Sequence, residues 1–577
     1  MSEVALSPAG QAAAPAGSRG PMDLLAATLF LALGVALVLH PYAAGREMPG
    51  DLTDQRVNLS MLEFFYRTLL DALHGRPANL LDAPFFYPWP DVTNFSDTHW
   101  GDAEIYALAR ALGMSSLASF QAWFVAGFAL SYVAAFVSLR KLGLGTWGAA
   151  SGAFLFTFPL PMAGQFDHAQ LVYRLWVPPA VLALDRFFTR RSFRAGAACM
   201  MFVALQLAVS IYLGLFLCLL LASYAAALCL LAQNRLALPS WTAFCSADAT
   251  ELVTAGILLA AALAVLGIVA IPYWNVQLMY GFARSWDEVA KMLPRPGSYL
   301  LAAPSKIWFD LSARLSYPLV WEHQMFPGLS AIIPLVWFLV SKRARTRQPL
   351  AGLMLAAVAI LFAVTIDVYG HTLYRFLIYP IPGFSSIRAV TRIILLMMLP
   401  LAALFGMLID ELAAAGAYRV RRCLLGVALL VFLVGECSFI NRYSSSLSEW
   451  RARLNALEAR LPEKLPPNAI LAIKTEPMRP GVDWLWILAQ TDAELAAVTL
   501  GISTLNGYSG NHPPTWKPMT TCGDVGDNLR AGQHFLAEHG MPAPDITADR
   551  LVLLGFGACT PAELGRDPFL HAPSANR

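Results

Sequence analysis

Charged residues are scarce in this chain of 577 residues. Asp, Glu, Lys and Arg together make up 14% of it, against about 25% in ordinary globular proteins. Apolar residues reach 57%, and the mean hydropathy is +0.54. So much apolar surface cannot be hidden in small water-soluble cores, so lipid must be the solvent for most of the chain. The same composition excludes a disordered chain, a collagen-like fibre and a disulfide-rich secreted scaffold.

Recognisable metal and redox motifs are also lacking. No CxxC pair occurs among the 8 cysteines, so a zinc site or a thioredoxin-like site has no support. Five cysteines in apolar runs are interpreted as small buried hydrophobic residues: Cys199, Cys218, Cys229, Cys423 and Cys437. Cys245 lies in a polar loop, whereas Cys522 and Cys559 lie in the polar C-terminal region, where an extracytoplasmic location would permit a disulfide. The basic residues form short separate clusters, so nucleic acid is not an expected partner.

Long apolar segments dominate the rest of the chain. Their lengths lie near the 20 residues or so that cross a bilayer core of about 30 Å. The predicted spans are 24–40, 117–139, 146–163, 170–188, 195–210, 212–232, 252–273, 326–341, 349–367, 391–413 and 422–440. Residues 1–22, rich in Ala, Gly, Ser and Pro, are predicted to be disordered. Because many spans follow, we interpret the first apolar run as a retained helix rather than a cleaved signal peptide.

Basic residues indicate the orientation of these spans. If the N-terminus is cytoplasmic, the dense basic clusters between spans all fall on the cytoplasmic side, as the positive-inside rule requires. These clusters are Arg140 and Lys141; Arg186, Arg190, Arg191 and Arg194; Arg235; Lys342, Arg343, Arg345 and Arg347; and Arg419, Arg421 and Arg422. Eleven spans then place the loop 41–116, the loop 274–325 and the tail from about 441 on the outer face.

The tail, residues 441–577, is predicted to form a small α/β domain. Ser444 to Leu461 has a helical pattern, and Leu529 to His539 has another. Ala469 to Lys474 and Arg550 to Gly555 have the pattern of strands. The predicted fold is therefore an α-helical polytopic membrane protein of about eleven transmembrane helices, residues 23–440, followed by a small C-terminal α/β extracytoplasmic domain.

The first outer loop combines charge with an amphipathic segment. Asp51, Asp54 and Arg56 follow the first span, and Val57 to Leu73 is patterned as a helix lying on the membrane surface. A carboxylate placed there can act as a general base on a sugar hydroxyl. A nearby arginine can bind a lipid phosphate through two parallel hydrogen bonds. The alternative is that Asp51 and Asp54 cap the surface helix at its N-terminus, and the spacing alone leaves both interpretations open.

The order of motifs resembles the GT-C superfamily of polytopic glycosyltransferases, particularly the bacterial YfhO-like membrane proteins. The first loop, with the Asp51/Asp54 pair and its surface helix, matches the general GT-C layout. Four later stretches add to the resemblance: Gly164 to Gln170 followed by Trp176-Val-Pro178, Glu322 to Gly328, Pro382 to Arg392, and Asn506 to Gly510 followed by Pro513-Pro514.

The resemblance implies a transferase that uses a polyprenyl-phosphate-linked sugar on the periplasmic face of the bacterial inner membrane. The acceptor would be an envelope glycan, a lipid or a protein. Asp51 would be the catalytic base, with Asp54 as the second choice. The base would deprotonate the acceptor hydroxyl, which displaces the lipid phosphate in one inverting step. Arg56, Arg388 and Arg392 are the candidates for stabilising the negative charge of the leaving phosphate.

Further candidates each have a structural alternative. His168 could contact phosphate or acceptor, or could be hydrogen-bonded to the backbone at the start of a helix. Glu322 could be a second polar group of the pocket, because acids at the membrane edge are costly, or a solvated loop residue. Arg388 and Arg392 lie one helical turn apart and could instead reach out to lipid headgroups.

The tail motif, the metal and the function class also stay open. Asn506 and Tyr508 could touch a glycan, although a Gly-flanked turn explains this sequence well. Asp51 and Asp54 could hold a divalent cation, Mg²⁺ or Mn²⁺, but no third ligand is apparent, so no metal residue is assigned.

The alternatives to a transferase are a transporter or flippase of a lipid-linked glycan, and a non-catalytic assembly protein on the same fold. Charges gather at the outer face rather than at mid-span, which favours interfacial chemistry over transport.

Overall fold

The computed structural model describes residues 20–231, 248–315, 317, 321–414, 418–477, 484–557, 559–560 and 564. Among these residues, five helices are long and apolar enough to cross a membrane: Gly20–Ala43, Ser116–Lys141, Ile211–Leu231, Ala249–Tyr280 and Val390–Ala413. Shorter apolar helices are Phe193–Val209, Leu329–Val340 and Pro349–Thr365. The apolar helices indicate a membrane protein, as the composition predicted.

Other helices complete the helical part of the described chain. They are Asp54–Leu73, Ala103–Ala111, Thr146–Thr157, Leu160–Ala163, Val177–Arg190, Trp286–Lys291, Phe309–Ala313, Lys342–Arg347, Tyr374–Leu377, Arg419–Ser438, Leu447–Glu458, Trp484–Leu500 and Cys522–Glu538. Short 3₁₀ turns occupy Val92–Phe95, Ala169–Val172, Pro296–Leu300, Phe384–Ser386, Val390–Ile393 and Ala548–Arg550. The predicted disordered residues 1–19 lie outside the described residues, and a helix already begins at Gly20.

Each predicted span contains a helix, but two spans are interrupted. Segment 146–163 consists of two helices, Thr146–Thr157 and Leu160–Ala163, separated around Pro159, which has no backbone N–H to continue the first helix. Segment 170–188 becomes an α-helix only at Val177, where a proline occupies the first turn. How many of the eleven segments cross the membrane stays a prediction.

The core is built around one helix that is buried on all sides. In Val390–Ala413, 94% of the most apolar window is buried. It packs against Thr146–Thr157, where a Cβ added to Gly406 would lie 2.4 Å from the Gly148 carbonyl oxygen. Small residues of this kind let two membrane helices approach closely. By contrast, only 11% of the corresponding window in Ala249–Tyr280 is buried, so most of this long apolar helix is exposed on the surface of the protein.

A buried acid holds the start of the helix Leu329–Val340. The Glu436 carboxylate, on the neighbouring helix Arg419–Ser438, accepts hydrogen bonds from the backbone N–H groups of Leu329 at 2.7 Å and Ser330 at 2.9 Å. Gly328 precedes them with a φ of +88°, and a Cβ there would lie 2.6 Å from the same carboxylate. The otherwise unpaired N–H groups of the helix thus gain a carboxyl partner.

The tail contains a parallel sheet of three strands, in which Ile470–Ile473 (β3) lies between Ser503–Thr504 (β4) and Leu551–Leu554 (β5). Two of these strands lie where the sequence predicted strands. A separate antiparallel pair joins β1, Glu47–Pro49, to β2, Ser444–Ser446, and so connects the ends of the first and last predicted spans. The domain boundary at 441 itself stays a prediction.

The tail docks onto the aromatic part of the first outer loop. The backbone N–H of Phe86 donates to the Asn506 carbonyl oxygen at 3.0 Å, and that of Thr504 donates to the Pro84 carbonyl oxygen at 2.7 Å. Phe85, Phe86 and Trp89 are buried. This loop therefore extends the edge of the tail sheet, and tail and loop form one continuous structure.

Cysteines divide largely as the sequence indicated. Cys522 and Cys559 form a disulfide. Cys199 and Cys437 are buried and Cys218 is half-buried, but Cys229 and Cys423 are exposed on their helices, so the interpretation of these two as buried was wrong. Each lies in or beside an apolar helix, where lipid can cover the small apolar side chain. Cys245 lies outside the described residues.

Candidate active site

A cavity of about 450 Å³ lies where several loops, two long helices and the tail meet. Five of the predicted site residues line its polar part: Asp54, His168, Arg388, Arg392 and Tyr508. The apolar wall comes from the helices Ile211–Leu231 and Ala249–Tyr280, through Ile211, Leu215, Leu266, Val269 and Ala270. The cavity thus combines a charged end with an apolar surface made by candidate membrane spans.

Four predicted residues form a chain of ionic contacts at this site. His168 Nδ1 lies 3.1 Å from Asp54 Oδ2, and His168 Nε2 lies 3.9 Å from Glu322 Oε1. Glu322 Oε1 in turn accepts a hydrogen bond of 2.9 Å from Arg392 Nη2. Glu322 and Arg392 are both buried. Residues more than 300 positions apart in sequence therefore act as one electrostatic unit, which we call the carboxylate–histidine chain.

Local structure explains how each member of this chain is placed. Asp54 is the first residue of the surface helix, so its carboxylate lies near the positive end of the helix dipole. His168 immediately precedes the 3₁₀ turn Ala169–Val172. Arg392 belongs to the 3₁₀ turn that leads into the buried core helix, and the backbone N–H of its neighbour Thr391 donates to the Met292 carbonyl oxygen at 3.1 Å.

The carboxylate–histidine chain holds its two carboxylates, Asp54 and Glu322, ionised. Burial raises the pKa of Asp54, but hydrogen bonds from His168 and Tyr508 and the positive charges of His168 and Arg392 bring the pKa below its usual value. Burial likewise raises the pKa of Glu322, and Arg392 and His168 outweigh that effect and lower it. Burial and Arg392 lower the pKa of His168, whereas Asp54 and Glu322 raise it above its usual value overall. The arrangement therefore favours carboxylate, imidazolium and carboxylate side by side.

Asp51 lies outside the lining of this cavity. Its carboxylate accepts hydrogen bonds from the Thr53 backbone N–H at 2.8 Å and from Thr53 Oγ1 at 2.6 Å, and its own N–H donates to Asp167 Oδ1 at 3.0 Å. These bonds shape the turn that enters the helix Asp54–Leu73, but Thr53 and not Asp51 occupies the N-cap position of that helix. Asp54, the second choice, is the carboxylate that faces the cavity.

Arg56 and Asn506 also lie away from the cavity lining. Arg56 is buried, forms an ion pair with Asp492 of the tail helix Trp484–Leu500, and lies 5.4 Å from the ring centroid of Trp450. Asn506 Nδ2 donates to the Ile473 carbonyl oxygen at 3.0 Å, and Asn506 Oδ1 accepts from the Ile473 N–H at 2.7 Å. Arg56 thus ties the tail to the surface helix. The Asn506 side chain binds the end of the strand Ile470–Ile473.

Several cavity residues were not predicted from the sequence. Arg284 lines the cavity, donates to the Gly510 carbonyl oxygen, and lies 3.3 Å from Glu288, which is also 3.8 Å from Arg388. Its position in an outer loop among other charges was the only available signal. Asn94 also lines the cavity, and both of its side-chain amide atoms are buried with no protein partner among the described residues. Arg284, Arg388 and an unpaired amide thus face the same space as Arg392.

A divalent cation gains no support from the geometry. Within the parts of the chain that the structure describes, no group of three or more His, Cys, Asp and Glu side chains could hold a metal ion. Asp51 and Asp54 point to different partners, Thr53 and His168. The role of Mg²⁺ or Mn²⁺ therefore stays a prediction.

Comparison with known proteins gives little beyond this geometry. No protein-family model and no curated protein matches the chain. Among solved structures, the chain is similar to ArnT from Cupriavidus metallidurans bound to undecaprenyl phosphate, with 12% identity, 85% of this chain and 90% of that chain covered, and a TM-score of 0.38. Its similarity to the apo state of ArnT has 12% identity, coverage of 83% and 86%, and a TM-score of 0.33. At these values we base the function on the site alone.

Proposed function

We propose that the protein is a membrane glycosyltransferase that moves a sugar from a polyprenyl-phosphate donor to an acceptor hydroxyl on the outer face of the bacterial inner membrane. The observation that carries the proposal is the composition of the cavity. It presents an ionised carboxylate, Asp54, and two cations, Arg284 and Arg388, beside an apolar wall of candidate membrane spans. Transfer from a polyprenyl-phosphate sugar needs these three features together. The carboxylate serves the acceptor hydroxyl, the cations serve the phosphate, and the apolar wall serves the lipid chain.

In this proposal Asp54 is the general base. The acceptor oxygen forms a bond to the anomeric carbon of the sugar while the bond from that carbon to the phosphate oxygen breaks. The acceptor proton passes to Asp54, and polyprenyl phosphate leaves with the electron pair of the broken bond. Attack from the side opposite the leaving group inverts the anomeric configuration. Arg284 and Arg388 neutralise the charge that develops on the phosphate, since that charge grows as the bond breaks.

The other members of the carboxylate–histidine chain support Asp54 rather than react themselves. A base must be unprotonated to accept a proton, and His168 and Tyr508 keep the Asp54 carboxylate ionised and fixed in direction. Glu322 and Arg392 fix His168 from the far side. We favour Asp54 over Asp51 because Asp54 lines the cavity, whereas Asp51 lies outside its lining and is engaged with Thr53 at the turn.

Product analysis in cells tests the proposal whichever sugar is transferred. Lipid-linked sugars and envelope glycans are extracted from a deletion strain complemented with wild type, Asp54→Asn or Asp51→Asn, and compared by mass spectrometry. We expect Asp54→Asn to lack the same single sugar as the deletion strain and to accumulate its polyprenyl-phosphate donor, because loss of a general base costs about 10²–10⁴ in rate. Asp51→Asn is the matched control and should retain the product.

Other results would contradict the proposal in distinct ways. A complete product with Asp54→Asn would exclude Asp54 as the base, and loss confined to Asp51→Asn would restore Asp51 to that role. A deletion strain with undisturbed lipid-linked sugars and glycans would exclude the transferase. A donor that accumulates only on the cytoplasmic side of the membrane would point to the flippase alternative.

A further inference from the structure

A second cavity, of about 660 Å³, lies along the C-terminal half of the surface helix Asp54–Leu73, whereas the first site uses the first turns of that helix. Three arginines line it, Arg67 and Arg76 from the surface-helix region and Arg110 from the helix Ala103–Ala111. Two carboxylates, Glu63 and Asp71, are the acids in its lining. The tail closes the other side with Ala497, Val498, Gly501, Ile502 and Ser503. The cavity therefore carries an excess of one positive charge.

Glu63 is already neutralised within the protein. Its carboxylate is almost fully buried and contacts Arg67 Nε at 3.0 Å, Arg110 Nε at 2.9 Å and the Tyr106 hydroxyl at 2.6 Å. Among the described contacts, Arg67 reaches Glu63 through Nε alone, so its two terminal nitrogens stay available to a ligand. Arg76 pairs with Asp71 at 2.7 Å, but both side chains are substantially exposed. The free donors of this cavity thus belong to Arg67 and Arg76.

Exposed leucines mark the surroundings of this cavity as a lipid-facing surface. Leu69 and Leu73 lie one turn apart on the surface helix, and Leu108 and Leu112 lie one turn apart at the helix that packs against it. All four are exposed, with Leu73 at 73% and Leu112 at 76% of their maximum. The candidate span Ser116–Lys141 begins four residues after Leu112. This places the leucines at the membrane boundary, where apolar side chains can enter the lipid.

We propose that this second cavity binds the phosphate headgroup of an anionic phospholipid while the four leucines contact its acyl region. Guanidinium groups are well suited to phosphate oxygens, since each can form two parallel hydrogen bonds. The net positive charge selects an anionic lipid over a zwitterionic one. The bound lipid would fix the depth of the surface helix, and with it the height of the first cavity, relative to the bilayer. The inference does not depend on the transferase activity.

Native mass spectrometry of the purified full chain in detergent tests this site. Phosphatidylglycerol is titrated against wild type and against the double variant Arg67→Gln/Arg76→Gln, with phosphatidylcholine and inorganic phosphate as comparison probes. Each arginine near an anionic lipid contributes about fivefold to affinity, so the double variant should bind phosphatidylglycerol about 25-fold more weakly. Arg46→Gln is the matched control, because Arg46 is an exposed arginine that directly follows the first candidate span and lies outside the cavity.

A second variant leaves every charge in place. Ser503→Phe puts a large ring into the cavity, and we expect it to abolish the tight binding of phosphatidylglycerol while thermal unfolding stays close to wild type. Equal affinities in wild type and both variants would overturn the proposal. Equally strong binding of phosphatidylcholine or of inorganic phosphate would overturn the assignment to an anionic lipid.

Discussion

Replacement of Glu322 by Gln tests the carboxylate–histidine chain most directly. Glu322 and Arg392 are each 7% exposed, and their closest atoms lie 2.9 Å apart. Breaking a buried ion pair by removing one charge costs about 3–5 kcal/mol, because the other charge stays buried without its partner. Arg392 keeps one compensating contact, since its guanidinium lies 5.1 Å from the ring centroid of Tyr212, and such a contact is worth about 1 kcal/mol.

We therefore expect Glu322→Gln to lower the free energy of unfolding by about 3 kcal/mol. With an unfolding entropy of about 2.1 cal/mol/K per residue, a chain of 577 residues should show a drop of roughly 2–3 °C in the thermal midpoint, which scanning fluorimetry of the purified chain in detergent can measure. Glu288→Gln is the matched control, because Glu288 also pairs with arginines but is half-exposed, so its loss should cost about 1 kcal/mol or less.

The double variant Glu322→Gln/Arg392→Gln completes the cycle. It removes both charges, so it should cost clearly less than the sum of the two single variants. The cost of Glu322→Gln should also depend on pH. The pKa of Glu322 is lowered in the folded protein, so its stabilising effect is complete above the unfolded value of about 4.3 and is lost as the pH falls below that value. The buried ion pair of Glu322 and Arg392 would be refuted if the double variant cost as much as the two single variants together. It would also be refuted if Glu322→Gln and Glu288→Gln had the same thermal midpoint.

Three further predictions concern the surroundings of the site. Burial and the Asp51 carboxylate raise the pKa of Asp167 to about 6, so the charged form of Asp167 destabilises the folded protein. Asp167→Asn should therefore raise the thermal midpoint at pH 8, and this gain should fade by pH 4, where Asp167 is protonated in the wild type. Replacing both Cys522 and Cys559, which lie 37 residues apart, by Ser should remove about 4 kcal/mol from the stability of the tail, as limited proteolysis of the tail with and without reductant would report. Gly328→Ala should destabilise the protein, because the new Cβ would lie 2.6 Å from the Glu436 carboxylate and the φ of +88° is strained for any other residue; an unchanged midpoint would contradict the Glu436 cap.

The sequence predicted the helical segments better than the roles of single residues. Apolar length alone located the candidate spans, since a membrane helix must carry a continuous apolar run. The three-dimensional partners could not be predicted. Spacing cannot show which of Asp51 and Asp54 turns toward a cavity, because that depends on the entry of the chain into the surface helix. Arg56 was placed at the phosphate from its sequence neighbourhood, but its partner Asp492 lies 436 residues away.

The tail completes the candidate site, which a division at residue 441 would not suggest. Tyr508 lines the cavity, and its hydroxyl hydrogen-bonds to Asp54. The backbone N–H of Tyr508 donates to the buried Glu494 carboxylate of the helix Trp484–Leu500, and the same helix carries Asp492, the partner of Arg56. One tail helix therefore holds both a residue of the cavity wall and the surface helix that begins at Asp54. Because the candidate base and its hydroxyl partner are fixed from two sides by this helix, the tail is part of the catalytic architecture in the proposed transferase rather than an appended binding module.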